Sequence, residues 1–169
     1  MATIQSKTTK GYKYWYIVES RRVNGKPRPI VLAYLGKAED LLKQAYEIRP
    51  DLPDLAYSLG LLLVEKNKLN DAVRYLKIAA DQMPERARIQ YNLGLLLQSQ
   101  NQLAEAETCL LLAFKIEPDN MDYLYALAIH YINRQMPLKA KSFAEKMVEI
   151  NPQLPIGNEL LNAINQRIK

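Results

Sequence analysis

One spacing constrains this chain more than anything else in it. Aligned on a period of 34 residues, Gly60, Gly94 and Ala128 coincide. So do Leu59, Leu93 and Leu127, and Tyr57, Tyr91 and Tyr125. Ala72, Ala106 and Ala140 form a fourth column, and Pro84, Pro118 and Pro152 a fifth. A fixed period of this length marks a stack of repeated supersecondary units, each too small to bury its apolar face alone.

Within each unit the pattern is helix, turn, helix. Leu59, Leu62 and Leu63 fall on one helical stripe, as do Leu93, Leu96 and Leu97, and Leu103, Ala106, Leu110 and Ala113. The expected helices are 54–66, 70–82, 87–100, 104–116, 121–134 and 138–150. Small residues at 60, 94 and 128, and at 72, 106 and 140, let the two helices of a unit approach closely. Proline stops the second helix, having no N–H and restricting the residue before it. The turns carry Asn67, Asn101 and Gln135. Asn tolerates the left-handed conformation after a helix end better than Gln does, so the third turn, with Pro137 beside it, is expected to be altered.

Both ends of the array depart from the pattern. Ala38, Leu42, Ala45 and Pro50 sit one period before Ala72, Leu76, Ala79 and Pro84, so 38–50 reads as a second helix without its first. Residues 155–168 place Ile156, Leu160, Leu161, Ile164 and Ile168 on one side and polar residues elsewhere, as a solubilising cap does.

These columns resemble the tetratricopeptide repeat, over three units at 53–86, 87–120 and 121–154. The fold class expected for the whole chain is mainly α: a short right-handed helical-repeat solenoid, with a preceding half unit at 38–50, a capping helix at 155–168 and an N-terminal β-hairpin. The resemblance implies a protein or peptide partner, held in a concave groove lined by the first helix of each unit. In the first unit the groove positions are Asp54, Tyr57, Ser58, Leu61 and Glu65. In the second they are Arg88, Tyr91, Asn92, Leu95 and Gln98. In the third they are Asp122, Tyr125, Ala126, Ile129 and Asn133. Some relatives grip a terminal carboxylate with Lys and Asn. Tyr57 and Leu61 stand at such places here and only Asn92 fits, so that mode is not expected.

The first 37 residues differ in character. They hold eight Lys or Arg against Glu19 alone, a net +7, whereas 38–169 is −2. YKYWYIV at 12–18 and IVLAYL at 30–35 are strand-forming, and Asn24-Gly25 suits a type I′ turn. A hairpin with strands at 12–23 and 27–35 follows, Pro27 and Pro29 marking an edge and Gly36 ending the second strand. The run GYKYWYIVESRRVNGKPRPIVLAYLGKAEDLL resembles the N-terminal leader of DDE-class insertion-sequence transposases. No strand pattern follows that builds such an enzyme's catalytic core, so no catalytic residue is carried over. Lys10, Lys13, Arg21, Arg22, Lys26 and Arg28 make possible nucleic-acid contact through 7–37 the alternative function. A mobile-element leader fused to a truncated repeat protein, with no selected activity, is the remaining alternative.

Enzyme chemistry is not expected, nor any cofactor or metal. His130 is the only histidine and Cys109 the only cysteine, and no phosphate-binding loop or nucleophile elbow occurs. The longest apolar runs, Leu61–Val64 and Cys109–Phe114, are far shorter than a membrane span, and the N-terminus has no apolar signal core. A cytoplasmic location, with no membrane partner, is the expectation; partner identity and oligomeric state are not legible.

Overall fold

The structure is a computed structural model. It describes residues 2–9, 12–23 and 26–168, with side chains at 5–8, 14, 18, 28–29 and 37–167. Three strands come first: β1 (Ala2–Thr9), β2 (Tyr12–Val23) and β3 (Lys26–Lys37), antiparallel in the order β1-β2-β3. The hairpin read from the sequence is β2 and β3; its Asn24-Gly25 turn lies outside the described residues. β1 was not anticipated. It runs in unbroken register from Ala2 opposite Glu19 to Thr9 opposite Tyr12. Its β-branched Thr3, Ile4, Thr8 and Thr9 are the signal for it, masked by the polar character of the stretch.

Gly36 does not end β3. It pairs with Trp15, and the strand continues to Lys37. Between Trp15 and Tyr16 the register shifts, since Tyr16 faces Tyr34 and leaves Leu35 unmatched. Glycine beside a bulge accommodates the bend without stopping the ladder. Pro27 and Pro29 lie opposite Arg22 and Ser20, on a strand that is an edge of the sheet.

Helices follow without interruption: α1 (Ala38–Ile48), α2 (Pro53–Glu65), α3 (Leu69–Gln82), α4 (Ala87–Ser99), α5 (Leu103–Ile116), α6 (Met121–Asn133), α7 (Pro137–Ile150) and α8 (Pro155–Ile168). The starts of α2, α4 and α6 are 34 residues apart, as are those of α3, α5 and α7. Each hairpin packs on the next through α3 against α4 and α5 against α6. The result is a helical-repeat solenoid with a small sheet at its N-terminal end. α1 touches β2, β3 and α2, so the sheet occupies the side where a first helix is missing. At the other end α8 buries Ile164 against α7 and half-buries Leu160 and Leu161, while Ile156 faces away from that contact.

Close approach sets the hairpin geometry. A Cβ on Gly60 would lie 2.7 Å from Leu76 Cδ2, and one on Gly94 would lie 2.8 Å from Leu110 Cγ. Neither leucine has room to spare, because both are fully buried. The third unit evens out the sizes. Ala128 replaces the glycine, and Ala144, one period after Leu110, replaces the leucine. Both alanines are fully buried, so the contact gains one side-chain carbon on the first helix and gives up three on the second.

All three turns have one geometry. Asn67, Asn101 and Gln135 take φ of 58°, 60° and 57°. In each, the next N–H donates back into the helix: Lys68 to Leu63, Gln102 to Leu97 and Met136 to Tyr131, all at 2.9 Å. The altered third turn expected from Gln135 is not found. The stacked helices impose the conformation, and Gln bears the strain that Asn or Gly avoids.

Two outcomes follow for stability. In urea, Gly94→Ala loses about 1–3 kcal/mol and Leu110→Ala about 2–5 kcal/mol. The double variant, which copies the Ala128/Ala144 pair, loses less than the sum by about 1 kcal/mol or more; simple additivity would refute the paired fit. Gln135→Gly gains about 0.5–1 kcal/mol by relieving positive φ, measured in the same titrations.

Candidate functional site

The first helices α2, α4 and α6 lie side by side and parallel, joined by side chains that reach from one to the next. At the N-terminal end, Arg88 of α4 meets Asp122 of α6 at 3.6 Å. One turn further, Asn92 Nδ2 donates to Tyr57 Oη at 2.7 Å, joining α4 to α2. Tyr91 packs on Tyr123 with ring centroids 4.9 Å apart, and Arg88 stands over its ring at 5.9 Å. At the C-terminal end, Gln98 of α4 meets His130 of α6.

The sequence-predicted groove residues therefore divide into two groups. Tyr57, Arg88, Asn92 and Asp122 are engaged with one another, and Tyr91 is half-buried against Tyr123. Leu61, Leu95 and Tyr125 instead keep 38, 37 and 38 % of their surface exposed, high values for large apolar side chains. Ile129, in register with Leu61 and Leu95, is half-buried, and Asn133, one turn further along α6, is exposed. An apolar stripe thus crosses three helices on a frame of paired polar groups.

The basic N-terminal residues are less fully defined. Lys10 lies outside the described residues, as do the side chains of Lys13, Arg21, Arg22 and Lys26. Their strands place Arg21 opposite Arg28 and Arg22 opposite Pro27, and the Arg28 side chain is exposed.

Two charged clusters were missed by the sequence reading. Glu39 of α1 is buried and accepts from Lys68 at 2.7 Å, from Lys66 at 3.0 Å, and pairs with Lys43 at 3.0 Å. The Lys68 hydrogen bond, with those of Lys66 and Lys43, outweighs burial and holds its carboxyl at about 2. Glu107 of α5 accepts from Tyr131 Oη at 2.7 Å and from Arg134, with Lys139 at 3.8 Å. The Tyr131 bond and the nearby cations lower its pKa, while burial and Glu107 push the Tyr131 phenol up to about 12. Glu39 and Glu107 are two periods apart, and so are Lys66 and Arg134. One contact is being repeated: the second helix of a unit pairs with the turn of the next. The middle interface, with Val73 and Gln100 at these places, omits it.

His130 is fully buried beside the second cluster. Its Nδ1 lies 3.2 Å from Gln98 Oε1, which assigns that nitrogen as the donor. Its Nε2 has no hydrogen-bond partner and lies 4.0 Å from Glu107. Burial lowers the imidazole pKa, so the ring is neutral at pH 7. Cys109 is half-buried, its thiol pushed up by burial. Among the described residues no cluster of His, Cys, Asp or Glu is placed to hold a metal ion, and no helix is long and apolar enough to cross a membrane.

Two known families are each matched by part of this chain. Residues 2–51 match the family described as IS1634 family transposase, N-terminal domain, and residues 63–128 match the tetratricopeptide repeat. No curated protein matches. Among solved structures, one of MamA superposes with a TM-score of 0.72 at 21% identity, covering 76% of this chain and 75% of that one. A tetratricopeptide repeat protein from Parabacteroides merdae gives 0.70 at 21% identity, over 76% of this chain and 53% of that one. The first TPR of Spaghetti (RPAP3), bound to HSP90 peptide SRMEEVD, gives 0.62 at 17% identity, over 69% and 92%. At these identities the likeness is one of fold. The transposase-like match ends after α1, so Glu39 belongs to one matched segment and its partners Lys66 and Lys68 to the other.

Acid should act on the two clusters separately. The fold depresses the Glu39 pKa from 4.5 to about 2, so its contribution is full above the ordinary carboxylate range and is lost as pH falls toward 2. With its lysine partners partly in solvent, that contribution is about 2 kcal/mol. The fold lowers the His130 pKa below its ordinary 6.5, so stability also falls as pH drops below 6.5, where the unfolded chain takes up the proton. Urea midpoints measured against pH should lose the upper step in His130→Leu, which copies Leu96 one period earlier, and the lower step in Glu39→Gln. An unchanged profile in either variant contradicts the assignment.

Proposed function

We propose that this chain is a non-catalytic scaffold that holds a peptide or a segment of a partner protein in the groove formed by α2, α4 and α6. The observation that carries this reading is exposed apolar surface on three parallel helices, Leu61 and Leu95 in one register continued by half-buried Ile129, with Tyr125 one turn earlier on α6. Apolar area left in water across consecutive units is surface that a ligand buries with gain. The frame beneath it is preorganised, since Asn92 with Tyr57 and Arg88 with Asp122 fix the helices relative to one another. Preorganisation lowers the entropic cost of binding.

The peptide carried by the Spaghetti structure ends in acidic residues. It is not the ligand expected here. Arg88 is the only Lys or Arg within α2, α4 and α6, and Asp122 already answers it.

Leu95→Asp and Tyr125→Ala test the groove, with Leu111→Asp on α5 as the control. Leu111 is 37 % exposed and lies outside the first helices. In affinity capture with the full chain, both groove variants should lose specific partners by about tenfold, equivalent to about 1.4 kcal/mol. Leu111→Asp should retain them, and circular dichroism should show all three folded. Retention in Leu95→Asp with loss in Leu111→Asp would place binding on the other face.

A further inference from the structure

We infer that the segment bound in this groove is apolar with lysine or arginine beside its apolar residues, not acidic. This rests on the groove reading above and names the chemistry of its ligand. The whole chain carries +5, yet α2, α4 and α6 together carry Asp54, Glu65 and Asp122 against Arg88 alone. Outside its groove helices the array of residues 38–169 holds 14 Lys or Arg against 14 Asp or Glu and is neutral, while along them it is acidic; the positive excess of the chain lies in residues 1–37.

Of these acids Asp54 and Asp122 stand at the N-terminal edge, each beside an arginine, and Glu65 stands at the C-terminal edge. Gln98 meeting His130 and Arg88 meeting Asp122 put α4 and α6 in parallel, and Arg86 meeting Asp54 with Asn92 meeting Tyr57 puts α2 alongside them, so the three C-termini lie on the same side. Helix C-termini carry the negative end of the helix dipole, although the turn N–H groups here already bond three of the last carbonyls of each helix. Glu65 lies exposed in the last turn of α2, and none of the three last turns contains Lys or Arg. His130, in the last turn of α6, is buried and neutral.

Cations do stand just past these ends, but they are committed elsewhere. Lys66, next after α2, reaches Glu39, and Arg134, next after α6, reaches Glu107. Between them Gln100 is neutral. Buried Glu39 and half-buried Glu107 on the second helices thus draw the positive side chains off the groove edge. At the opposite edge Arg86 is held by Asp54 at 2.5 Å and Arg88 by Asp122. Among the described residues of the groove helices and their edges, a ligand carboxylate meets no cation that is not already paired. A ligand lysine meets Glu65 and three helix C-termini, while its apolar neighbours cover Leu61, Val64, Leu95 and Ile129.

Fluorescence anisotropy on the full chain tests this with two labelled 15-residue peptides of identical leucine pattern, one with Lys and one with Glu at every polar position. Because the protein is cationic overall, general electrostatics favour the Glu peptide, so a preference for Lys reports the groove. The Lys peptide should bind about tenfold more tightly or better at ~0.1 M salt. Glu65→Lys should reduce the ratio by about threefold or more, a modest exposed-charge effect, and Leu95→Asp should abolish binding of both peptides. Equal affinity, preference for Glu, or a Lys preference indifferent to Glu65→Lys, with binding still lost in Leu95→Asp, overturns the inference and leaves the groove reading standing. Binding that survives Leu95→Asp, or no binding by either peptide, overturns the groove reading and the inference with it.

Discussion

Everything in the array depends on how closely two helices of one unit can lie, and a glycine against a leucine decides that. With no Cβ at Gly60 and Gly94, Leu76 and Leu110 settle directly onto the facing backbone. The third unit reaches the same register with two alanines, Ala128 and Ala144. Fitting the pair of residues together, and not either residue alone, keeps the helix pair at one spacing, with two fewer side-chain carbons in the third unit. Because that spacing repeats, the first helices of successive units stay parallel and in step. The turns then have no freedom: Gln135 adopts the left-handed conformation of Asn67 and Asn101 because the flanking helices leave it no other.

Stacking by apolar contact alone would not distinguish one interface from another. The ion pairs do. Glu39 with Lys66, and Glu107 with Arg134, make the same contact at the first and third interfaces, and Val73 with Gln100 leave the middle one without it. A buried carboxylate without its cations is strongly penalised, so each pair disfavours any register in which it is broken. The first pair has a second consequence. α1 lies within the transposase-like match and also serves as the second helix of a repeat. Its Glu39 obeys the pairing rule of the array. The joint between the two segments is therefore a formed interface, with Tyr46 also packed edge-on against Tyr75 at 5.4 Å.

Most of the helical architecture was legible because periodicity is a property of spacing, and spacing survives when individual residues vary. The five columns located the helices from α2 to α7 to within a residue or two. What escaped depends on contacts between units. Nothing local to Glu39 or Glu107 marks it as a pairing residue; only the two-period relation to Lys66 and Arg134 does, and that is visible once the contact is known. Gln135 misled because propensity was weighed without the helices that override it. Gly36 misled because a glycine in a strand marks a bulge as readily as an end. Tyr57 and Asn92 were expected along the groove, and the hydrogen bond that joins them ties two helices together, a pairing that no single-unit pattern reveals.

The polarity of the groove follows from the same interactions that fix the stack. A lysine or arginine just after a first helix would ordinarily complement the helix dipole and make the groove edge cationic. Here Lys66 and Arg134 stand at that position and turn instead to the glutamates of the preceding second helices. His130, beside Arg134, is excluded from charging by its burial. The residues that stabilise the interfaces thereby set the sign of the surface beside them. An array of this kind alters what its groove favours by moving one glutamate on a buried second helix, without changing any residue that a ligand touches.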